Sequence, residues 1–336
     1  MSKDSFHVAV VGATGAVGVE MLQCLAQRGF PVGKLTALAS ARSAGKSLDF
    51  GDEKVTVEEL TTDSFAGVDI ALFSAGSSLS REFGPHAVEA GATIIDNSSA
   101  FRMDDSVPLV IPEVNPQAAK DHKGIIANPN CTTIVTLMGL YPLHKEFGVK
   151  RIVASSYQAV SGSGAQGIAE LKEQVDLLAK GEHQVHPNIY PRQIAFNVIP
   201  IVETITENGY TKEEMKMQDE GRKIMDHADF QASTTCVRVP VYRSHAVAVA
   251  GEFEKTITVD YAREVLEAAP GVDVMDDREH ALFPTPLDST NKDDCLVGRL
   301  RSDLVFENGL SFFIVGDQVR KGAALNAVQI AELLVS

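Results

Sequence analysis

One cysteine lies in a turn that suits covalent chemistry. The apolar stretch 124–127 is followed by the letters N-P-N-C-T-T, in which Cys131 is the fourth, and an apolar helical pattern starts at once. A thiol at a helix N-terminus is close to backbone N–H groups and a positive dipole, which favour a thiolate and an oxyanion. We therefore predict that Cys131 is a nucleophile, although a buried structural cysteine is the alternative. Packing better explains Cys24 and Cys236, and Cys295 is expected in a loop or at a strand edge.

A glycine-rich loop follows the first apolar stretch, residues 7–11. The loop reads G-A-T-G-A-V-G and a helical pattern comes after it. Glycines at this place let the backbone approach a pyrophosphate, and the helix N-terminus supplies N–H donors. The spacing G-x-x-G-x-x-G differs from the usual G-x-G-x-x-G, and a plain glycine-rich turn is the alternative. We predict a dinucleotide site with contacts from Gly12, Thr14, Gly15, Ala16 and Val17.

The end of the second predicted strand bears on the choice of dinucleotide. An NAD enzyme usually has Asp or Glu there, about 20 residues after the loop, for the ribose 2′-hydroxyl. This sequence has S-A-R-S-A-G-K over residues 40–46, with hydroxyl groups and two cations but no acid. Such a segment suits a 2′-phosphate, although a polar surface turn is the alternative. We predict that the cofactor is NADP and that Ser40, Arg42 and Ser43 contact it.

The elements that position these residues indicate an α/β protein. Short β-branched stretches alternate with helical patterns over the first third, which predicts an N-terminal Rossmann-like, doubly wound parallel sheet with one strand at 109–111. After Arg151 the strands are longer and more alternating, which predicts a C-terminal α+β domain with a mixed or antiparallel sheet. We expect a dinucleotide-binding domain over 1–132, a catalytic domain over 133–319, and a helix at 320–336 that packs back on the first domain.

The composition argues against several classes of partner. The net charge is −15 and basic residues are not clustered, which argues against nucleic acid. No apolar run reaches the roughly 20 residues of a membrane helix, so no membrane partner is expected. The four cysteines lack C-x-x-C spacing, so we expect neither a metal site nor disulfides. A reducing compartment, the cytoplasm, fits this usage best.

Several motifs together resemble the aspartate-β-semialdehyde dehydrogenase family over nearly the whole chain. Beside the glycine loop and the cysteine turn, they are S-A-R-S-A-G-K, D-N-S-S-A-F-R-M, Y-Q-A-V-S-G, E-E-M-K-M, T-C-V-R-V-P, V-G-R-L-R and G-D-Q. The resemblance implies reductive dephosphorylation of L-aspartyl-4-phosphate to L-aspartate-4-semialdehyde with NADPH, through a thioester on Cys131. It further implies a role in the biosynthesis of lysine, threonine, methionine and isoleucine, and a homodimer or homotetramer.

The same resemblance implies roles for individual residues. Gln158 would orient the substrate, because a neutral amide can hold a carboxylate or a carbonyl without adding charge. His245, at the start of a predicted strand, would be the acid and base, and Arg238 would pair with the α-carboxylate. The other substrate contacts are Arg102 and Lys223 for phosphate, Asn130, and Glu220 for the ammonium group or for holding Lys223. The remaining cofactor contacts are Ser161, Gly162 and Gln318.

Other functions stay open at this point. N-acetyl-γ-glutamyl-phosphate reductase performs the same chemistry on a longer, acetylated substrate. A non-catalytic paralogue of the same fold is a second alternative, from a different functional class. Arg238 together with Glu220 and Lys223 favours a free amino acid. Catalysis is favoured by the joint presence of Cys131, Gln158, Arg238 and His245. Glyceraldehyde-3-phosphate dehydrogenase fits less well, because its cysteine turn and glycine loop differ.

Overall fold

The computed structural model describes residues 4–182 and 184–335 and divides the chain into two compact units. The first unit contains the described parts of Met1–Asn130 and Ala323–Ser336, and the second is Cys131–Gly322. The chain therefore passes from one unit to the other between Asn130 and Cys131, inside the cysteine turn.

The first unit is built on a seven-stranded sheet. Its strands are β1 (Phe6–Val11), β2 (Val32–Ala39), β3 (Ser47–Phe50), β4 (Glu53–Glu59), β5 (Ile70–Phe73), β6 (Thr93–Asp96) and β7 (Ile125–Ala127). Its first two helices are α1 (Ala16–Gln27) and α2 (Ser77–Glu89). The strand order is β3-β4-β2-β1-β5-β6-β7, and every pairing is parallel except that of β3 with β4. Because the chain goes first to one side of β1 and then to the other, the order reverses at β1, which is where such sheets bind ligands.

Alternate residues of β1 pack into different cores. Val8 and Val10 belong to a buried cluster with residues of α1, and Ala9 and Val11 belong to a second cluster with Ala87 of α2. Helices therefore cover both faces of the sheet, as expected for buried parallel strands. The predicted Rossmann-like fold is confirmed.

The second unit has a six-stranded mixed sheet. Its strands are β8 (Val149–Gln158), β9 (Gln231–Arg238), β10 (His245–Phe253), β11 (Val272–Val274), β12 (Cys295–Ser302) and β13 (Gly309–Gly316). Its helices are α3 (Cys131–Phe147), α4 (Gly164–Ala179), α5 (Lys212–Met225), α6 (Val259–Glu267) and α7 (Pro286–Ser289). The strand order is β11-β12-β13-β10-β8-β9, with β8 parallel to β9 and antiparallel to β10. The predicted α+β class of this part is confirmed.

The last helix, α8 (Leu325–Val335), belongs to the first unit. Leu325, Val328 and Ile330 are buried in the same cluster as Val8 and Val10 of β1. The apolar pattern at the end of the sequence therefore fills the core of a domain whose strands all lie before Asn128.

The sheets differ in several details from the sequence-based expectation. Residues 109–111 do not form a strand, because only Leu109 makes a single parallel bridge, to Ala127. The hairpin of β3 and β4 was not predicted; its residues are mostly exposed, so hydrophobic alternation is weak there.

Strand β9 ends at Arg238, two residues before Pro240, which has no N–H to donate to a ladder.

Over residues 4–182 and 184–335, no helix is long and apolar enough to cross a membrane. In the same part of the chain, no cluster of three or more His, Cys, Asp or Glu residues is arranged to hold a metal ion.

Candidate active site

The glycine loop lies at the carboxyl end of β1, where its backbone passes close to that of the neighbouring strand. Gly12 has φ +81°, and a Cβ built on it would lie 2.8 Å from the carbonyl oxygen of Ser74, just after β5. A Cβ on Gly18 would lie 2.2 Å from the carbonyl oxygen of Gly12. Both positions therefore require glycine, the first for its φ and both for the close approach of other backbone atoms.

The start of α1 suits an anionic ligand. Its N-cap residue is Gly15, so no side chain caps the helix, and its first turn has no acidic residue. The first N–H groups of a helix have no intrahelical partner and attract anions. Beside the loop, the buried hydroxyl of Ser74 has no hydrogen-bond partner among the described residues. These features fit a dinucleotide phosphate, as the sequence predicts for Gly12, Thr14, Gly15, Ala16 and Val17.

The segment after β2 places cations at the same edge, because β1 and β2 are parallel and both end there. Ser40 and Arg42 are exposed, and Ser43 is half-buried and accepts a hydrogen bond of 3.4 Å from Lys46 Nζ. A guanidinium and an ammonium group next to hydroxyl groups fit a 2′-phosphate. That Ser40, Arg42 and Ser43 contact the cofactor stays a prediction.

The residues before the cysteine are fixed within the first unit. The side chain of Asn128 donates to Asn97 Oδ1 at 2.8 Å and accepts from Asn326 of α8 at 2.6 Å. Arg102 is buried and donates from Nε to the Asn128 carbonyl at 2.9 Å and from Nη2 to that of Asn97 at 2.7 Å. Asn130, two residues after Asn128, is also buried. The proposed phosphate contact of Arg102 therefore comes from a guanidinium that is already anchored.

Cys131 is the first residue of α3 and is half-buried. The other cysteines, Cys24, Cys236 and Cys295, are buried. Burial raises the pKa of Cys236 to about 12, so that thiol is unreactive at neutral pH. A Cβ on Gly322 would lie 3.0 Å from Cys131 Cβ, so backbone approaches the nucleophile closely on one side. Accessibility and position at a helix N-terminus both distinguish Cys131 as the candidate nucleophile.

Three neighbouring strands of the second sheet present the other predicted catalytic residues at one edge. Gln158 ends β8 and is paired in register with Arg238, which ends β9. His245 begins β10, and the next residue of β10 pairs with Tyr157. Because β10 runs antiparallel to β8, its start lies beside the end of β8. Gln158, Arg238 and His245 are all buried there, with 2%, 6% and 0% of their surfaces exposed.

The peptide groups of Ala159 fix the ring of His245 and the guanidinium of Arg238. The Ala159 N–H donates to His245 Nδ1 at 3.1 Å, and the Ala159 carbonyl accepts from Arg238 Nη1 at 2.7 Å. Since Nδ1 accepts a hydrogen bond, the neutral ring carries its proton on Nε2. This Nε2 is buried and has no hydrogen-bond partner among the described residues. The ring therefore holds an N–H donor ready for a group that the protein does not supply.

The charge state of His245 follows from its surroundings. Burial, with the Arg238 cation as the second cause, lowers the pKa of His245 to about 3. The ring is thus neutral at physiological pH. A Cβ on Gly162 would lie 2.8 Å from Arg238 Nη1 and 3.3 Å from His245 Nε2, so the glycine leaves open the space in front of both groups. A small polar ligand can reach the N–H of His245 and the guanidinium together only because residue 162 has no side chain.

Two residues near this edge were not singled out from the sequence. The ring of Tyr190, which is 8% exposed, lies under the Arg238 guanidinium at 5.9 Å. Glu213, at the start of α5, accepts hydrogen bonds on Oε1 from Gln158 Nε2 at 3.1 Å and from Thr132 Oγ1 at 3.4 Å. Glu213 stands inside the E-E-M-K-M motif, but nothing in a charged helix start indicates burial. The carboxylate joins the start of α3 to the end of β8.

The remaining predicted residues of this unit fall into two groups. Glu220 and Lys223 lie on α5; Glu220 is 2% exposed and Lys223 is half-buried, so they are not a solvated surface pair. Gln318 follows β13 and uses its amide within the protein: Oε1 accepts from the Ser244 N–H at 2.7 Å and Nε2 donates to Ser161 Oγ. Gln318 thereby fixes Ser161 and the residue before His245. The cofactor contacts of Ser161, Gly162 and Gln318 stay predictions.

Comparisons with known proteins agree over the whole chain. Family models described as the NAD binding domain and the dimerisation domain of semialdehyde dehydrogenase match residues 7–122 and 140–321. An aspartate-semialdehyde dehydrogenase of Aquifex aeolicus is 51% identical over 98% of both chains. The crystal structure of aspartate semialdehyde dehydrogenase II from Vibrio cholerae, complexed with ASA, is 46% identical with a TM-score of 0.96 over 99% of both chains.

A more distant structure, an aspartate semialdehyde dehydrogenase with NADP from Candida albicans, is 22% identical over 98% of both chains and has a TM-score of 0.76, which shows the fold. Relatives of this kind do not favour the acetylated-substrate reductase or a non-catalytic paralogue. With both family models matched and half of the residues identical to a full-length relative, the chain belongs to the aspartate-semialdehyde dehydrogenase family.

Proposed function

We propose that the chain converts L-aspartyl-4-phosphate to L-aspartate-4-semialdehyde and phosphate with NADPH, through a thioester on Cys131. The observation that carries this proposal is the edge where Gln158, Arg238 and His245 meet, in the unit that begins with an accessible cysteine. The Nε2 N–H of His245 has no partner there among the residues that the structure describes. An acyl-transfer enzyme needs a nucleophile, a donor for the developing oxyanion and a group that holds the substrate.

The protein's own residues account for the substrate steps. The thiolate of Cys131 attacks the acyl carbon, the C–O bond to phosphate breaks, and inorganic phosphate leaves as the thioester forms. The N–H on His245 Nε2 donates to the oxygen that gains negative charge, because no described residue of the chain accepts from that donor. Arg238, anchored by Ala159, pairs with the α-carboxylate of the substrate. Arg102 and Lys223 bind the phosphate, Glu220 holds the ammonium group or Lys223, and Asn130 completes the substrate contacts.

NADP is the cofactor of this proposal, and when bound as NADPH it supplies the hydride that reduces the thioester carbonyl. The uncapped start of α1 and Gly12 hold its pyrophosphate, and Arg42 with Ser43 holds the 2′-phosphate. The family's NAD binding domain model matches this part of the chain, and the Candida relative is described with NADP. Ser161 and Gly162 contact the nicotinamide end.

The proposal extends to assembly and place of action. The match to a dimerisation domain over residues 140–321 supports oligomerisation, and we propose a homodimer, or a homotetramer made of two such dimers. A free catalytic thiol requires a reducing compartment, which supports the cytoplasm. The product serves the biosynthesis of lysine, threonine, methionine and isoleucine.

The reverse reaction tests the proposal. Purified protein is mixed with aspartate semialdehyde, inorganic phosphate and NADP, and the absorbance of reduced nicotinamide is followed. We expect phosphate-dependent reduction of NADP, much weaker reduction of NAD, and none with N-acetylglutamate semialdehyde. Activity with the acetylated aldehyde instead would assign the chain to the other reductase. Silence with both aldehydes, from folded protein that binds NADP, would contradict catalysis altogether.

A further inference from the structure

We propose that Glu213 is a positioning residue, which holds the side-chain amide of Gln158 so that only its carbonyl oxygen is available to a ligand. The inference rests on the proposed function and concerns a residue for which the sequence suggested no role. It follows from the hydrogen bonds of one buried amide and from the chemistry of its two partners.

Both N–H groups of the Gln158 amide are used within the protein. Nε2 donates to Ser156 Oγ at 3.2 Å and to Glu213 Oε1 at 3.1 Å. An amide nitrogen has two hydrogens, so no donor is left. Neither of these bonds uses Oε1, and the residue is 2% exposed. The group that Gln158 can offer to a ligand is therefore an acceptor.

Glu213 alone decides this orientation. The hydroxyl of Ser156 can donate or accept, so it tolerates the amide in either of its two orientations. An ionised carboxylate only accepts. If the amide were turned over, its oxygen would face Glu213 Oε1 at about hydrogen-bond distance, and two acceptors would repel each other. The energy difference between the two orientations thus comes from the charge on Glu213.

The surroundings of Glu213 keep its carboxylate in place. The side chain is 6% exposed, Oε2 accepts from Lys216 Nζ at 2.9 Å, and Lys216 also donates to Glu203 at 2.7 Å. A cation at this distance favours the ionised form of a carboxylate. Thr132, next to the nucleophile, shares the same oxygen as Gln158. A change at Glu213 therefore reaches Gln158 directly, while Lys216 keeps a second partner.

Glu214, the next residue, provides a matched control. It is also buried and acidic, and its carboxylate accepts from the N–H groups of Thr211 at 2.7 Å and Cys236 at 2.9 Å. These bonds cap the start of α5 and tie it to β9. Glu214 has no hydrogen bond to Gln158, so its loss tests helix capping without touching the amide.

The experiment is a double-mutant cycle in the reverse reaction with aspartate semialdehyde, using Glu213→Gln, Gln158→Ala, the double variant and Glu214→Gln. We expect E213Q to lower kcat/KM by about 10- to 100-fold with the KM for NADP unchanged. The glutamine introduced at position 213 can either donate or accept, so it can hydrogen-bond to the Gln158 amide in both of its orientations. In the Gln158→Ala background the same change should cost less than about twofold, since Glu213 then has nothing to position. E214Q should lower the melting temperature and leave kcat/KM within about twofold of wild type.

A second measurement does not depend on turnover. The side-chain amide protons of Gln158, identified by their absence in Gln158→Ala, should exchange with solvent at least about tenfold faster in E213Q and at an unchanged rate in E214Q. An inactive wild type would refute the proposed function, whereas these exchange rates would still test the inference. Three results would each overturn the inference. They are a loss of kcat/KM in the double variant equal to the product of the two single losses, a loss of kcat/KM in E214Q as large as in E213Q, and an unchanged exchange rate of the Gln158 amide protons in E213Q.

Discussion

The candidate sites at the edges of the two sheets differ in the atoms that form them. The site at the glycine loop is formed by backbone atoms. Gly12 and Gly18 leave no room for a Cβ, and Gly15 leaves the start of α1 without a side-chain cap. The site at the edge of the second sheet is formed by buried side chains. The ring of His245 and the guanidinium of Arg238 are held there by hydrogen bonds to the backbone of Ala159.

This difference explains what each edge tolerates. A site made of N–H groups depends on backbone shape, so most side chains around it can vary, but its glycines cannot. A site made of buried polar side chains depends on each partner, because an unpaired buried group costs roughly 1–3 kcal/mol. The following changes test this contrast.

The largest effect is expected at the nucleophile. Cys131→Ser should lower kcat on the order of 10⁴-fold, because a serine hydroxyl stays protonated where a thiol ionises. NADPH binding, measured by nicotinamide fluorescence, should be unchanged. Cys24→Ala, in the buried core of the first unit, should keep its turnover and lose only stability. Turnover of Cys131→Ser close to wild type would mean that another group attacks the substrate.

At the site formed by backbone atoms, substitution of Gly12 should weaken cofactor binding. Gly12→Ala places a Cβ 2.8 Å from the Ser74 carbonyl at φ +81°, so the loop must move and NADPH affinity should fall by about 100-fold. Gly29→Ala is the matched control, with φ +62° but nothing within 4 Å of the added carbon. It should cost about 1 kcal/mol of stability and leave cofactor affinity intact. Equal affinity losses in the two variants, measured by titration, would refute a specific role for the loop.

Arg42 should distinguish the two dinucleotides. Arg42→Ala removes a cation from the exposed segment after β2, and NADPH affinity should fall by about 10- to 100-fold, the range for a charge-assisted hydrogen bond. NADH affinity should change by less than about twofold. Arg81→Ala, an exposed arginine on α2, serves as the control. If both nucleotides weaken equally, Arg42 does not contact the 2′-phosphate.

The smallest effect concerns stability at the side-chain edge. The pKa of His245 is about 3 in the folded chain, below the ordinary value of 6.5, so the unfolded chain takes up the proton first. Stability from this ring is therefore present above pH 6.5 and is lost as the pH falls toward 3. Between pH 7 and pH 5, wild type should lose about 2 kcal/mol more of unfolding free energy than His245→Asn.

Urea unfolding at the two pH values measures this difference, with His186→Asn at an exposed position as the control. The control should lose the same free energy as wild type. If His245→Asn does so too, the ring is not held neutral in the folded protein.

The same contrast explains what the sequence could predict. The glycine loop and the cysteine turn were readable because glycine spacing and helix starts are local features. Arg238 and His245 are seven residues apart and gave no periodic signal of their own; only the family resemblance indicated them. Glu213 and Tyr190 were not predicted as site residues. Burial of a polar residue depends on which strands and helices pack together, and no local sequence pattern indicates this.

In the first sheet, the buried central strands were predicted and the exposed hairpin was not. β1 contains V-A-V-V, β5 is I-A-L-F and β6 contains I-I, whereas the exposed hairpin of β3 and β4 carries little hydrophobic signal. Strand β12 was missed as well: it alternates only weakly and contains Arg299, which has φ +56° at an irregularity in its pairing with β13. The predicted boundary after residue 132 and the unit boundary after Asn130 differ by two residues.

The central claim is that the reaction passes through a thioester on Cys131, and trapping that intermediate tests it most directly. The protein is mixed with aspartate semialdehyde and NADP without phosphate, quenched in acid, and digested for mass spectrometry. We predict one aspartyl group on the peptide that contains Cys131, formed together with one equivalent of NADPH and released when phosphate is added before the quench. Reduced nicotinamide without an adduct, or an adduct on another residue, would contradict the account.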